Sequence, residues 1–215
     1  CSWFDSIPGI HFCGQVNMNE LSGAVKSTKK VRQVGFQETD IVSMAKPITK
    51  FAYRIKTEKE IPYILDKAYD ISTSGRPGPV LIDIPMNFQR KLINPKKLKK
   101  YQSKKKINNN NLKDKINTTY NLFKKSKRPV IILGGGIEIS KSRHLLDKLF
   151  AKYKVPYVTT WSGKDCCYHG QKNYIGTIGV YGSRAANFTV QNSDLILNIG
   201  SRLDTRITGG NPSSF

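Results

Sequence analysis

Pro129-Val130-Ile131-Ile132-Leu133-Gly134-Gly135-Gly136 decides the fold. The apolar run reads as a strand, and it opens straight into glycines, where backbone N–H groups can come close to a phosphate or carbonyl with no side chain between. A helical pattern precedes it at Leu112, Ile116, Leu122 and Phe123. After it come a helix around Ser140 to Tyr153, a strand at Tyr157 to Thr160, a helix around Ala185 to Gln191 and a strand at Leu195 to Ile199. This alternation predicts a doubly wound, Rossmann-like α/β domain with its ligand at the carboxyl ends of the strands.

Working back toward the first residue, Pro79-Val80-Leu81-Ile82-Asp83-Ile84-Pro85 is a short β-branched run bounded by prolines, which predicts a parallel-sheet strand buried on both faces. Ile61, Ile64, Leu65, Ala68 and Ile71 recur at three- and four-residue intervals and predict an amphipathic helix before it, stopped by Gly75 and Pro77. Ile10-His11-Phe12-Cys13, ending in Gly14-Gln15, predicts a further buried strand. Between the two α/β blocks lies a lysine- and asparagine-rich stretch whose composition buries too little apolar surface to order itself. The expected organisation is residues 1–93, a linker at 94–110, and residues 111–215.

The formal net charge is +21, a field that favours polyanions. The basic residues are dispersed or packed into the linker without interleaved aromatic residues for base stacking, so a lysine-biased composition is expected rather than a nucleic-acid partner. No apolar run approaches a membrane span, and the first residues lack a secretory layout. Cys1, Cys13, Cys166 and Cys167 match neither a disulfide framework nor a ligand set, which fits a cytoplasmic setting. Asp165-Cys166-Cys167-Tyr168-His169 reads as a loop, because a tetrahedral zinc needs ligands spaced to converge, and no metal ligand is expected. The missing initiator Met and the stop just after a Gly-Gly-Asn-Pro turn suggest a piece of a longer protein.

Two places could carry chemistry. Gly134-Gly135-Gly136, with Gly179 and Gly182, fits phosphate or cofactor contact but, with no G-x-G-x-x-G present, reads first as an ordinary α/β turn. Gly200-Ser201-Arg202-Leu203-Asp204-Thr205-Arg206 puts two guanidinium groups and a carboxylate after a strand, suited either to a phosphate and a ribose hydroxyl or to a structural ion pair.

Gly14-Gln15-Val16, Gly35-Phe36-Gln37-Glu38-Thr39-Asp40, Pro47-Ile48-Thr49-Lys50 and Gly75-Arg76-Pro77-Gly78-Pro79 stand in an order that resembles the acetolactate synthases, a thiamine-diphosphate-dependent enzyme family. So do Leu133-Gly134-Gly135-Gly136, Gly179-Val180-Tyr181-Gly182, Ala186-Asn187, Ser193-Asp194-Leu195 and the Arg202-to-Gly209 segment. The resemblance implies the end of a pyrimidine-binding, parallel-sheet domain followed by the central domain. It implies a transferase of branched-chain amino acid biosynthesis that decarboxylates pyruvate and joins the two-carbon unit to a second 2-keto acid; the alternatives are another thiamine-diphosphate-dependent decarboxylase or lyase of the same superfamily and, from the charge, a basic non-catalytic nucleotide- or nucleic-acid-binding protein. Implied cofactors are thiamine diphosphate, Mg2+ and, structurally, FAD; implied partners are a second copy in a homodimer or tetramer and a regulatory subunit.

By the same resemblance Phe36 and Gln37 line the substrate pocket, where without it they would read as a core aromatic and a turn residue. Arg76, Gly134, Gly135, Gly136, Thr160, Gly179, Gly182, Gly200, Arg202, Asp204 and Arg206 fall at positions that touch FAD in flavin-containing members. Tyr181, Thr205 and Met86 depart from the family pattern, which has His, Asp and Lys there. The family's catalytic glutamate would precede Cys1, and its Gly-Asp-Gly metal and diphosphate motif would follow Phe215. The chain alone is therefore expected to be inactive.

Overall fold

The computed structural model describes residues 1–24, 31–103, 111–167 and 170–211. It divides into two compact units, Cys1–Ile107 and Asn108–Phe215. Both are α/β with parallel sheets.

The first unit is a three-stranded sheet of β1 (Gly9–Gln15), β2 (Phe51–Arg54) and β3 (Pro79–Pro85), in the order β1-β3-β2. β3 takes the centre because its Val, Leu and Ile side chains suit burial on both faces, with prolines only at its ends. Val80 and Ile82 are fully buried against Ile64, Ala68 and Phe88, each contributing roughly 1.5–3 kcal/mol from apolar surface withdrawn from water.

Helix α2 (Ile61–Thr73) packs on the sheet and buries Ile64, Ala68 and Ser72, one residue per turn. A Thr57/Glu60 capping box and an early proline start it. It ends where Ser74 becomes extended and Gly75 takes φ +58°. Short helices α1 (Ile41–Ala45) and α3 (Met86–Gln89) follow the Phe36–Asp40 loop and β3.

β1 departs from expectation. It pairs with β3 on one side and, among the described residues, with no strand on the other, which leaves Phe12 58% exposed. An apolar run identifies a strand but not whether it is an edge.

The described part of the lysine-rich stretch, up to Ser103, returns to α2. The Tyr101 hydroxyl and the Ser103 Oγ donate to the Asp70 carboxylate at 3.1 and 2.7 Å, and the Tyr101 ring meets Tyr63 edge-on. Tyr101, Ser103 and the Lys99 ammonium, 5.5 Å from the Tyr63 ring centroid, supply the anchoring. Residues 104–110 lie outside the described residues.

The second unit begins with α4 (Leu112–Lys125), of which Phe123 packs inward while Leu112, Ile116 and Leu122 stay exposed. Its sheet is β4 (Pro129–Leu133), β5 (Tyr157–Thr159), β6 (Tyr174–Thr177) and β7 (Leu195–Ile199), in the order β6-β5-β4-β7. Both faces are covered. Ile131, Leu133 and Tyr157 pack on Ile137 and Leu146, and Val130, Ile132 and Val158 pack on Ala186 and Val190. The covering helices are α5 (Gly136–Ile139), α6 (Leu146–Lys152) and α7 (Arg184–Gln191); a last turn, α8 (Thr205–Thr208), follows β7.

The helix expected around Ser140 to Tyr153 is shorter than predicted. Lys141 sits at φ +55°, and Ser140 and Ser142 bond locally, so regular helix begins only at Leu146.

Candidate functional site

In the second unit the chain lays β5 and β6 on one side of β4 and then crosses to place β7 on the other. The carboxyl ends of β4 and β7 thus flank the point where the winding reverses, the place where open α/β sheets hold ligands. The glycine run after β4 and the Arg202–Arg206 segment after β7 meet there.

The meeting is very close. A Cβ on Gly134 would lie 2.4 Å from the Gly200 carbonyl oxygen, and one on Gly136 2.8 Å from the Gly200 Cα. The N–H of Gly134 donates to Ile199 O at 2.8 Å and that of Gly136 to Gly200 O at 2.9 Å. Those two amides are committed within the protein, which favours the tight-turn reading for these glycines. Gly135 lies against Ser162 just past β5, and Thr160, buried, donates its N–H to Leu133 O at 2.9 Å.

Gly179 and Gly182 shape the loop after β6. Gly179, at φ +101°, is clamped by the Asn187 amide, which accepts from its N–H at 2.9 Å and donates to its carbonyl at 3.1 Å. A Cβ on Gly182 would meet the Thr177 carbonyl oxygen at 2.5 Å.

What faces outward is different. Arg206 reaches the Tyr181 hydroxyl at 3.2 Å and lies over its ring. Tyr181 and Trp161, 65% and 66% exposed, stand with ring centroids 5.1 Å apart. Asp204 caps α8 through the Arg206 N–H and holds Arg202 at 3.8 Å. Arg206 thus stands beside exposed aromatic rings, and Arg202 is held close by through Asp204, so the surface offers guanidinium groups and planar rings. Trp161 is not reached from the sequence, where its signal is an aromatic residue directly after the expected Tyr157–Thr160 strand, and Tyr181 is reached only as a departure from the family pattern. Arg76 lies in the first unit, where its Nε donates to Ser6 Oγ at 2.6 Å.

The first unit's candidate residues sit on the loop before α1. Phe36 is 85% exposed, which rules out the core-aromatic alternative, and Gln37 beside it holds φ +62°. Gly35 is buried beneath them: a Cβ would come within 2.9 Å of Val16 Cγ2 and 3.0 Å of the Glu20 carbonyl oxygen. The Gly14-Gln15-Val16 and Gly35-to-Asp40 segments therefore form one structure.

Glu38 ties the loop down. Its carboxylate accepts from the Val34 N–H at 3.0 Å and from the Ser22 N–H and hydroxyl, both at 2.7 Å. These bonds, the Val34 N–H foremost, hold its pKa down at about 2. Asp40 caps α1 through Ser43, whose hydroxyl is the main reason its pKa is lowered.

Among the described residues no His, Cys, Asp or Glu cluster could hold a metal ion, and no helix is long and apolar enough to cross a membrane. Tyr168 and His169 lie outside the described residues. Burial raises the thiol of Cys166 and pushes that of Cys167 up to about 11.

Residues 116–215 match the family described as thiamine pyrophosphate enzyme, central domain. The whole chain is similar to a "Probable acetolactate synthase large subunit" of Methanocaldococcus jannaschii, 35% identical over 97% of this chain and 34% of that protein. It is also similar to the acetolactate synthase large subunit of Lactococcus lactis, 33% identical over 99% of this chain and 35% of the relative. To the mitochondrial acetolactate synthase catalytic subunit of Saccharomyces cerevisiae it is 32% identical over 98% of this chain and 30% of the relative. The second unit thus matches the central domain of thiamine pyrophosphate enzymes. The chain's likeness to the acetolactate synthases runs along nearly its whole length, and it spans about a third of the length of these relatives.

Proposed function

We propose that this chain supplies the pocket loop and the central domain of an acetolactate-synthase-like carboligase, which decarboxylates pyruvate and condenses the two-carbon unit with a second 2-keto acid. The observation that carries this reading is the similarity to acetolactate synthases through both units, including the loop that presents Phe36. Thiamine diphosphate, with Mg2+, supplies the electron sink when bound. Phe36 offers an apolar wall and Gln37 an amide that can orient a carboxylate or keto oxygen, both from a loop fixed by Gly35 and Glu38.

In the second unit Arg202 and Arg206 would hold the diphosphate of FAD, with the Tyr181 and Trp161 rings beside it. The relatives are named as large and catalytic subunits, which supports assembly with further subunits; a homodimer or tetramer, a regulatory subunit and a cytoplasmic setting complete the reading.

Full-length protein given pyruvate, thiamine diphosphate and Mg2+ should form acetolactate, whereas residues 1–215 alone should form none. Acetolactate from the 1–215 chain would show that the catalytic glutamate and diphosphate motif have been assigned wrongly to segments outside it. The full-length protein should also be yellow with flavin absorbance, and Arg202→Ala should bleach it; a colourless, active holoenzyme removes FAD from the reading.

A further inference from the structure

Asp83 is the one charged residue of the central strand β3, fully buried, with an Oδ1 that has no hydrogen-bond partner among the described residues. Burying a carboxylate is costly unless it is paired. Its Oδ2 is met by Arg54 Nε at 2.5 Å, from the end of β2, and by Gln15 Nε2 at 3.3 Å, from the end of β1.

Both donors also reach a second acceptor. Gln15 Nε2 lies 2.7 Å from the Thr39 carbonyl oxygen, and Arg54 Nη2 lies 3.3 Å from the same atom. Arg54 Nη2 is also 3.7 Å from Asp40 Oδ1. Two donors thus bridge the same two acceptors, and the four groups join the ends of all three strands to the backbone of the Phe36–Asp40 loop.

Other anchors are the buried Gly35 just before the loop, Glu38 at its middle, and the Asp40 carboxylate, which accepts from Ser43 at the start of α1. Past Gln37, at φ +62°, the Thr39 carbonyl is the point at which the loop's backbone meets Gln15 and Arg54. We infer that Arg54 is a positioning residue for the Phe36–Gln37 loop, acting through the Asp83 carboxylate and the Thr39 carbonyl. Its planar fork can serve both acceptors at once, which a lysine ammonium on a flexible stem cannot do with the same geometry. That this loop forms the substrate pocket rests on the function proposed above; that Arg54 fixes it does not.

The test uses full-length protein carrying Arg54→Lys or Arg54→Leu. The lysine variant keeps a cation beside Asp83 and so protects the fold. Hydrogen exchange is followed over residues 34–40 and over β3, alongside kcat and KM for pyruvate. In both variants exchange in the loop should quicken about tenfold, the loss of one charge-assisted hydrogen bond, while β3 in the lysine variant exchanges as in the parent. The pyruvate KM should rise with kcat little changed. Loop exchange that is unchanged in both variants overturns the inference, and so does full restoration by lysine, which would make Arg54 only a counter-charge for Asp83. Faster loop exchange with an unaltered KM upholds the positioning role and removes Phe36 and Gln37 from the pocket.

Discussion

At the scale of single residues, contact distances separate glycines that matter from those that do not. Gly134 has no room for a methyl group, since the atoms in the way are backbone. Gly134→Ala should destabilise the protein by about 2 kcal/mol or more, in the range of core overpacking, while Gly23→Ala, with nothing within 4 Å, should stay within about 0.5 kcal/mol; urea unfolding of the two variants reads the contrast. Phe36 presents the opposite case. Because its ring is exposed, Phe36→Ala should leave the unfolding midpoint nearly unchanged while altering pyruvate handling in the full-length protein. A large loss of stability would mean that the ring is covered in the intact assembly.

The glycine positions were legible in the sequence, but their interlock was not, because spacing along the chain says nothing of which loops touch. Asp83 could have been read further. A lone charge inside an apolar strand demands a buried partner, yet that partner, Arg54, lies on a strand that sequence patterning does not reveal.

At the scale of elements, β3, β4 and β7 were plain in the sequence as apolar runs, and α2 from its period. β2 and β6 were not. Phe51–Arg54 is four residues long and half-buried throughout, so it shows neither alternation nor a continuous apolar run. Tyr174–Thr177 contains Gly176 at φ +136°, and its pairing with β5 shifts register at Tyr157/Val158; a glycine inside a strand and a bulge both blur the pattern. α1 had a signal, Asp40 as N-cap with Ser43 following, in a stretch too short for periodicity.

The loop before α1 should respond to acid. Glu38 has a folded-state pKa near 2 against its ordinary 4.5, so its contribution is fully present above about pH 4.5 and is lost as pH falls toward 2. Stability measured from pH 7 to pH 2 for the parent and Glu38→Gln should show a constant gap at neutral pH that closes in this window. A gap independent of pH would assign the effect to packing rather than charge. In β3, Ile82→Ala removes a fully buried side chain and should cost about 2–5 kcal/mol, read by thermal or urea unfolding.

At the scale of the whole molecule, the composition says more about behaviour in solution than about function. A net charge of +21 makes the folded chain repel itself. Raising salt from about 10 to about 150 mM, which shortens the screening length from about 30 to about 8 Å, should raise the melting temperature; a fall would indicate that attractive ion pairs dominate. Each unit has its own parallel sheet and its own core. The order of motifs along the chain already carried the resemblance, because several of them, such as Gly134–Gly136 after β4 and Gly200–Arg206 after β7, fall at strand ends where geometry restricts the residues allowed.

The glycine interlock at the end of β4 also divides that surface into a fixed floor and a variable furnishing. Positions 134, 136, 163 and 200 admit no side chain, since each would strike backbone at under 3 Å. Trp161, Tyr181, Arg202 and Arg206 project away from that floor into solvent. Substitutions at those four positions should therefore leave the unfolding midpoint nearly unchanged, whereas a side chain placed at any of the glycines should lower it.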